Sequence, residues 1–147
     1  MKTTVIILML LLLPVLTMAN EIPDAQTPQT DLNFPACPDT PNCVSSLAED
    51  PAKRVEPFPL DGSSSQSMEL LTAIIGSMPR ATVISISPDT VQAEFRSLLG
   101  FVDDILFKVS DDGEVIHVRS AARAGSWDLG VNRKRVEKIR AMYLGNR

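Results

Sequence analysis

Histidine is nearly missing from this sequence, cysteine is scarce, and there is neither a glycine-rich cofactor loop nor an internal repeat. His117 is the only histidine, and Cys37 and Cys43 are the only cysteines among 147 residues. Two thiols and one imidazole leave a tetrahedral ion short of ligands, so no metal site is expected. The thiols also lack the two-residue spacing of thiol oxidoreductases, which argues against a redox pair. With no phosphate-cradling loop, no cofactor is expected. Positive charge is scarce too: 14 basic residues face 18 acidic ones, a net charge of −4. That balance argues against nucleic acid as a partner.

Long apolar runs are absent except at the start. Met1-Lys2-Thr3 precedes an uncharged apolar stretch from Val5 to Leu16, which ends at Thr17-Met18-Ala19 before the first acid, Glu21. A charged start, an apolar centre and a small-residue site describe a cleavable signal peptide over residues 1–19. The rival is an uncleaved anchor in the inner membrane, with the domain facing the periplasm. Against it, the run is at the bottom of the spanning range and contains Pro14. The expected location is therefore periplasmic or secreted, with no stable transmembrane helix once the leader is removed. A lipid anchor would need a cysteine directly after the apolar run, but the first is Cys37.

Residues 20–36 carry Pro23, Pro28 and Pro35 among polar residues, with no run able to bury a face, and read as a disordered tether. Residues 37–147 are expected to form one domain. In an oxidising compartment the close pair Cys37 and Cys43 defaults to a disulfide. Its small loop contributes only about 2 to 2.5 kcal/mol, enough to pin one segment.

Helix and strand periodicities then separate cleanly. A short Val55/Phe58/Leu60 segment is interrupted by Pro57 and Pro59, which confines any strand there to a sheet edge. Ser63 and Gln66 form a capping box, and Met68, Leu71, Ile75 and Met78 follow at helical spacing until Pro79. Four strand-like segments follow at 81–87, 90–96, 102–109 and 114–120, joined by short turns that make neighbours antiparallel. A final helix over 131–144 carries Val136, Ile139 and Tyr143 as its apolar stripe, with Gly145 as its stop. The fold class is α+β: an antiparallel β-meander of about four to five strands with two helices packed on one face, in the order β-α-β-β-β-β-α. The other sheet face should meet water or a covering segment.

Blocks of residues here resemble a known family. They are Cys37-Pro38-Asp39-Thr40-Pro41-Asn42-Cys43-Val44-Ser45-Ser46, Ala93-Glu94-Phe95-Arg96-Ser97, Gly100-Phe101-Val102-Asp103-Asp104, His117-Val118-Arg119-Ser120-Ala121-Ala122-Arg123 and Asp128-Leu129-Gly130-Val131-Asn132-Arg133. In this order they resemble the bacterial and plastid family called domain of unknown function 1499, from Cys37 to about Tyr143. The resemblance implies an envelope or lumenal single-domain protein and brings no catalytic or binding residues with it.

Strand alternation places Glu94, Arg96, Asp104, Lys108, His117 and Arg119 on one polar face, where they make either a binding site or cross-strand ion pairs. Arg123 and Arg133 extend this candidate binding set. His117 is a candidate general base beside Asp104 or Ser120, but Ser120 is an odd number of residues away and points to the opposite face. Asp103 and Asp104 likewise point apart, which disfavours a cation site and suggests ion pairs to Arg96 or Arg119. Asp111-Asp112-Gly113-Glu114 reads as a hairpin turn. In Gly125-Ser126-Trp127-Asp128-Leu129-Gly130, Asp128 is a natural helix cap and Trp127 a core plug.

Charge is strongly segregated. Residues 20–118 hold 5 basic and 16 acidic side chains, whereas residues 119–147 hold 8 basic and 2 acidic. Most of Arg133, Lys134, Arg135, Lys138 and Arg140 should project outward from the last helix, either against the acidic body itself or toward an anionic envelope ligand, such as a lipid headgroup or polyanionic polymer, or an acidic protein. The expected function is a non-catalytic binding or accessory module of the envelope. A small hydrolase-like enzyme using the polar face around His117 is the alternative.

Overall fold

A computed structural model describes residues 34–146. The expected signal peptide and residues 20–33 of the expected tether lie outside the described residues. The elements are β1 (Cys43–Ser45), β2 (Phe58–Pro59), α1 (Ser64–Gly76), β3 (Ala81–Ile86), β4 (Thr90–Arg96), β5 (Val102–Val109), β6 (Val115–Ala122) and α2 (Val131–Gly145). The strands make one antiparallel sheet in the order β1-β6-β5-β4-β3, with β2 also paired to β6. The α+β meander with two helices is thus the observed architecture. The sheet has six strands, one more than the upper expectation, because Cys43–Ser45 adds a strand beside β6.

Alternation explains the packing. Val91, Ala93 and Phe95 of β4, Ile105, Phe107 and Val109 of β5, and Ile116 and Val118 of β6 are all buried. They meet Met68, Leu71 and Ile75 of α1 and Val136, Ile139 and Tyr143 of α2 in one cluster. Phe58 joins from the edge, with its ring edge-on to Phe107 at 5.2 Å and to Tyr143 at 5.6 Å. The Tyr143 hydroxyl, at the bottom of this core, bonds Ser67 Oγ at 3.0 Å and Pro59 O at 3.2 Å, so no polar atom of the ring is left unpaired.

Both helix starts are capped as their sequences dictate. The Ser63 and Gln66 capping box is complete. At α2 the capping carboxylate belongs to Asp128, which accepts from the Gly130 and Asn132 backbone N–H groups at 2.9 and 3.0 Å. Burial alone would raise its pKa, but these amides and the Asn132 side chain outweigh that effect and lower it. Trp127 corrects the core-plug expectation: it is 72% exposed, because residues 123–130 run past the end of the sheet instead of across it.

The α2 cations also depart from expectation. Arg135 turns inward to Asp103, Asn132 Oδ1 and Ser120 Oγ and lies over the Phe95 ring. Arg140 reaches the carbonyls of Pro57 and Glu56 and covers Phe58. Arg133 donates to the Ala52 and Arg54 carbonyls. A guanidinium on a long stem can bend back over apolar surface in this way, whereas Lys134 and Lys138 remain exposed.

Candidate functional site

The sheet face opposite the helices is built in three rungs. Register pairs Glu94 with Asp104 and Asp104 with Ala121, then Gln92 with Leu106 and Leu106 with Arg119, then Thr90 with Lys108 and Lys108 with His117. On the first rung Arg123 bonds both Asp104 oxygens, at 2.7 and 2.8 Å, and also binds Glu94. Arg96 pairs with the other Glu94 oxygen at 3.3 Å. These contacts hold the Arg123 guanidinium firmly in its charged form. The expected partners for the acids are therefore corrected: Asp104 takes Arg123, and Asp103, on the helix side, takes Arg135 at 2.5 Å.

Residues 34–37 cross this face as a covering segment. Cys43 stands opposite Ala121 on the first rung, and its disulfide to Cys37 fixes the segment there. On the second rung the Ala36 carbonyl accepts from Arg119 at 3.4 Å. On the third, the Phe34 ring meets His117 edge-on. The last residues assigned to the tether, 34–36, are thus packed against the domain. Between Pro35 of this segment and Ile84, Gln92, Asp104, Leu106, Arg119 and Arg123 lies a groove of about 280 Å³. The groove's charged lining is Asp104 of β5 with Arg119 and Arg123 of β6 and its end; two hollows of about 390 Å³ and one of about 320 Å³ also lie on the domain, and none of them is lined by Arg119.

Arg119 is the unusual member of the set. Its Nε is buried without a hydrogen-bond partner, the one such side-chain nitrogen or oxygen among the described residues. Burial lowers its pKa and Asp104 opposes that shift. His117 is also shaped by burial, which lowers its pKa against the pull of Asp112 and Asp111. Its Nδ1 lies 3.1 Å from Ser46 Oγ, a contact not foreseen from the sequence. The Ser46 hydroxyl accepts from the Val118 N–H at 3.0 Å and also lies 3.4 Å from the Val118 carbonyl, so it is tied to the strand. Ser120 points to the opposite face and donates to Asn132, as the strand period requires.

Glu94, Arg96, Asp104 and Arg123 therefore form one cluster, Arg119 stands beside it, and His117 is a rung away. Arg133 does not join them and lies against residues 52–54. Among the described residues no group of three or more His, Cys, Asp or Glu side chains is placed to hold a metal ion. No described helix is long and apolar enough to cross a membrane.

These features define a class: a disulfide-tied α+β domain whose open sheet face is roofed by its own N-terminal segment over a charged groove. Within that class the chain belongs to the family described as "Protein of unknown function (DUF1499)", whose model matches residues 33–142. The match begins just before Phe34, so it includes the covering segment. No curated protein matches the chain in sequence.

Proposed function

We propose that the chain is exported, with residues 1–19 as its leader, and acts in the envelope as a non-catalytic module that binds a small anionic group in the roofed groove. Arg119 is the single observation that carries this reading. A guanidinium offers five donors, yet Arg119 leaves Nε unpaired and buried and makes only one long bond, to Ala36 O. An unpaired buried donor is costly, and a carboxylate or phosphate oxygen in the groove would satisfy it with a charge-assisted bond. Arg123 on the neighbouring rung is held by Asp104 and Glu94, which leaves Arg119 as the groove's cation, and Leu106 and Pro35 supply apolar walls. The Cys37–Cys43 pair supports an oxidising compartment.

Calorimetric titration with inorganic phosphate tests the reading. The parent protein should bind saturably and Arg119→Met should not, while folding to the same thermal midpoint or higher. Equal heats from both proteins would refute it.

The Ser46 and His117 contact favours one second reading, a hydrolase with Ser46 as nucleophile and His117 as base. The ties of Ser46 to the Val118 backbone weigh against it. A fluorophosphonate probe that labels the parent but not Ser46→Ala would establish it in place of the binding module.

A further inference from the structure

A second surface, separate from the groove, lies at one end of the sheet. Register places it: Arg96 pairs with Val102 and Asp103 with Ala122, so the hairpin turn 97–101 and the loop 123–130 emerge at the same end. Leu98 and Leu99 are each 85% exposed at the tip of the hairpin. Phe101, Trp127, Leu129 and Val131 are exposed at the same end. The two loops are backbone-linked where the Arg123 N–H donates to Val102 O at 2.9 Å.

Loop tips of this composition have no use inside the fold. Gly100 takes φ +85° and turns the hairpin so that Leu98 and Leu99 point away from the core. Leu129 itself sits at φ +55°, a conformation that costs a branched residue energy and places its side chain in solvent.

Charge selects what meets them. Arg80, beside the hairpin, donates only to the Arg96 carbonyl. Arg133 donates only to carbonyls, and Lys134 is exposed. Among the described residues no acid side chain forms an ion pair with these three cations, whereas Glu94, Asp103 and Asp104 of this end are paired with arginines. Asp128 faces the amides of α2, and Asp39 and Asp50 are exposed acids that line a hollow with Trp127 and Arg133, without an ion pair to any of the three cations. The opposite end of the sheet carries Asp89 in one turn and Asp111, Asp112 and Glu114 in the other. The domain is therefore polarised, with apolar tips and cations that meet no acid side chain at one end and four acids beside Lys108 at the other. An anionic surface would attract the first end and repel the second.

The geometry points to docking of this end on an anionic lipid bilayer, with Leu98, Leu99 and Trp127 entering the headgroup region and Arg80, Arg133 and Lys134 meeting lipid phosphates. Protruding apolar side chains on two loops, ringed by cations, suit a soft interface that closes around them. An indole at that depth keeps its ring in apolar surroundings and its N–H wet.

Trp127 is the only tryptophan, so it reports its own insertion. The full chain is mixed with vesicles of phosphatidylglycerol, or of phosphatidylcholine alone, and its emission and quenching by brominated acyl chains are followed. This local readout is independent of any attachment through the apolar N-terminal run. Phosphatidylglycerol should shift Trp127 to the blue and allow quenching, and raised salt should weaken both. Leu98→Ser/Leu99→Ser should fold as the parent does and lower the apparent partition coefficient by about tenfold or more. Arg80→Glu/Lys134→Glu should lose the response at low salt. Unchanged emission with phosphatidylglycerol, an equal response to phosphatidylcholine, or a Leu98/Leu99 variant that partitions like the parent would overturn the inference. Lipid-free self-association that shields Trp127, without a vesicle response, would assign this end to a second copy of the chain.

Discussion

Phe34 lies edge-on to His117, with ring centroids 6.2 Å apart and planes at 65°. The contact lies three residues before Cys37, whose disulfide holds the other end of the same segment against β6. A bridge that closes only a small loop therefore has a local task as well, to keep a roof over the charged face. Opening the bridge with Cys37→Ser should lower stability by about 2 to 2.5 kcal/mol in urea unfolding. It should also speed hydrogen exchange across β6. Unaltered exchange there would separate the bridge from the roof.

The roof also lies against His117, whose titration is shifted by burial. Burial holds its pKa below the ordinary 6.5, with Asp112 and Asp111 opposing. In the window below about pH 6.5 the unfolded chain binds this proton more readily than the folded one, so stability is complete above the window and declines as pH falls through it. Removal of the Phe34 ring by Phe34→Ala should raise the His117 value toward 6.5, read from its ring proton shifts. His117→Gln should flatten the stability profile between about pH 5 and 6.5, above the range in which the carboxylates titrate. A parent profile already flat there would contradict the assignment.

Among the described residues Asp103 and Arg135 form the most enclosed ion pair, with side chains 14% and 9% exposed. Removing one partner leaves the other charged and buried, so Asp103→Ala should cost about 3 kcal/mol or more. Arg123 and Asp104 are exposed at 48% and 44%, so Asp104→Ala should cost about 1 kcal/mol or less. Chemical denaturation of the two variants reads the contrast.

Adjacent residues 127 and 128 should differ sharply. Asp128→Ala orphans the first N–H groups of α2 and an Asn132 amide, a loss of about 1 to 2 kcal/mol. Trp127→Ala should stay within about 0.5 kcal/mol of the parent, because the ring is exposed. A large loss at Trp127 in thermal unfolding would mean that the loop packs inward after all.

The parts of the fold visible in the sequence are those with one wet face. Residues 90–96 and 102–109 alternate cleanly, and both strands have those bounds in the structure. Cys43–Ser45 shows no alternation because both sides are covered: Val44 joins the helical core, while Cys43 carries the disulfide that fixes the covering segment. All three residues are buried, the polar Ser45 included, so no exposed polar residue marks the strand. The polar face was readable from the period of two, but the roof was not, since Phe34 and Pro35 look like linker until the disulfide fixes their path. The α2 arginines defeat simple helical projection, because a long stem lets Arg140 reach back to Pro57 O.

Arg119 provides the most direct measurement. In the nitrogen–proton spectrum of the arginine Nε groups, inorganic phosphate is titrated into the parent protein, with Arg135 as internal control because its guanidinium is already engaged by Asp103. The predicted result is a saturable movement of the Arg119 signal while the Arg135 signal stays in place. An unmoved Arg119 signal, or a common unsaturated drift of every arginine, would contradict an anion-binding groove.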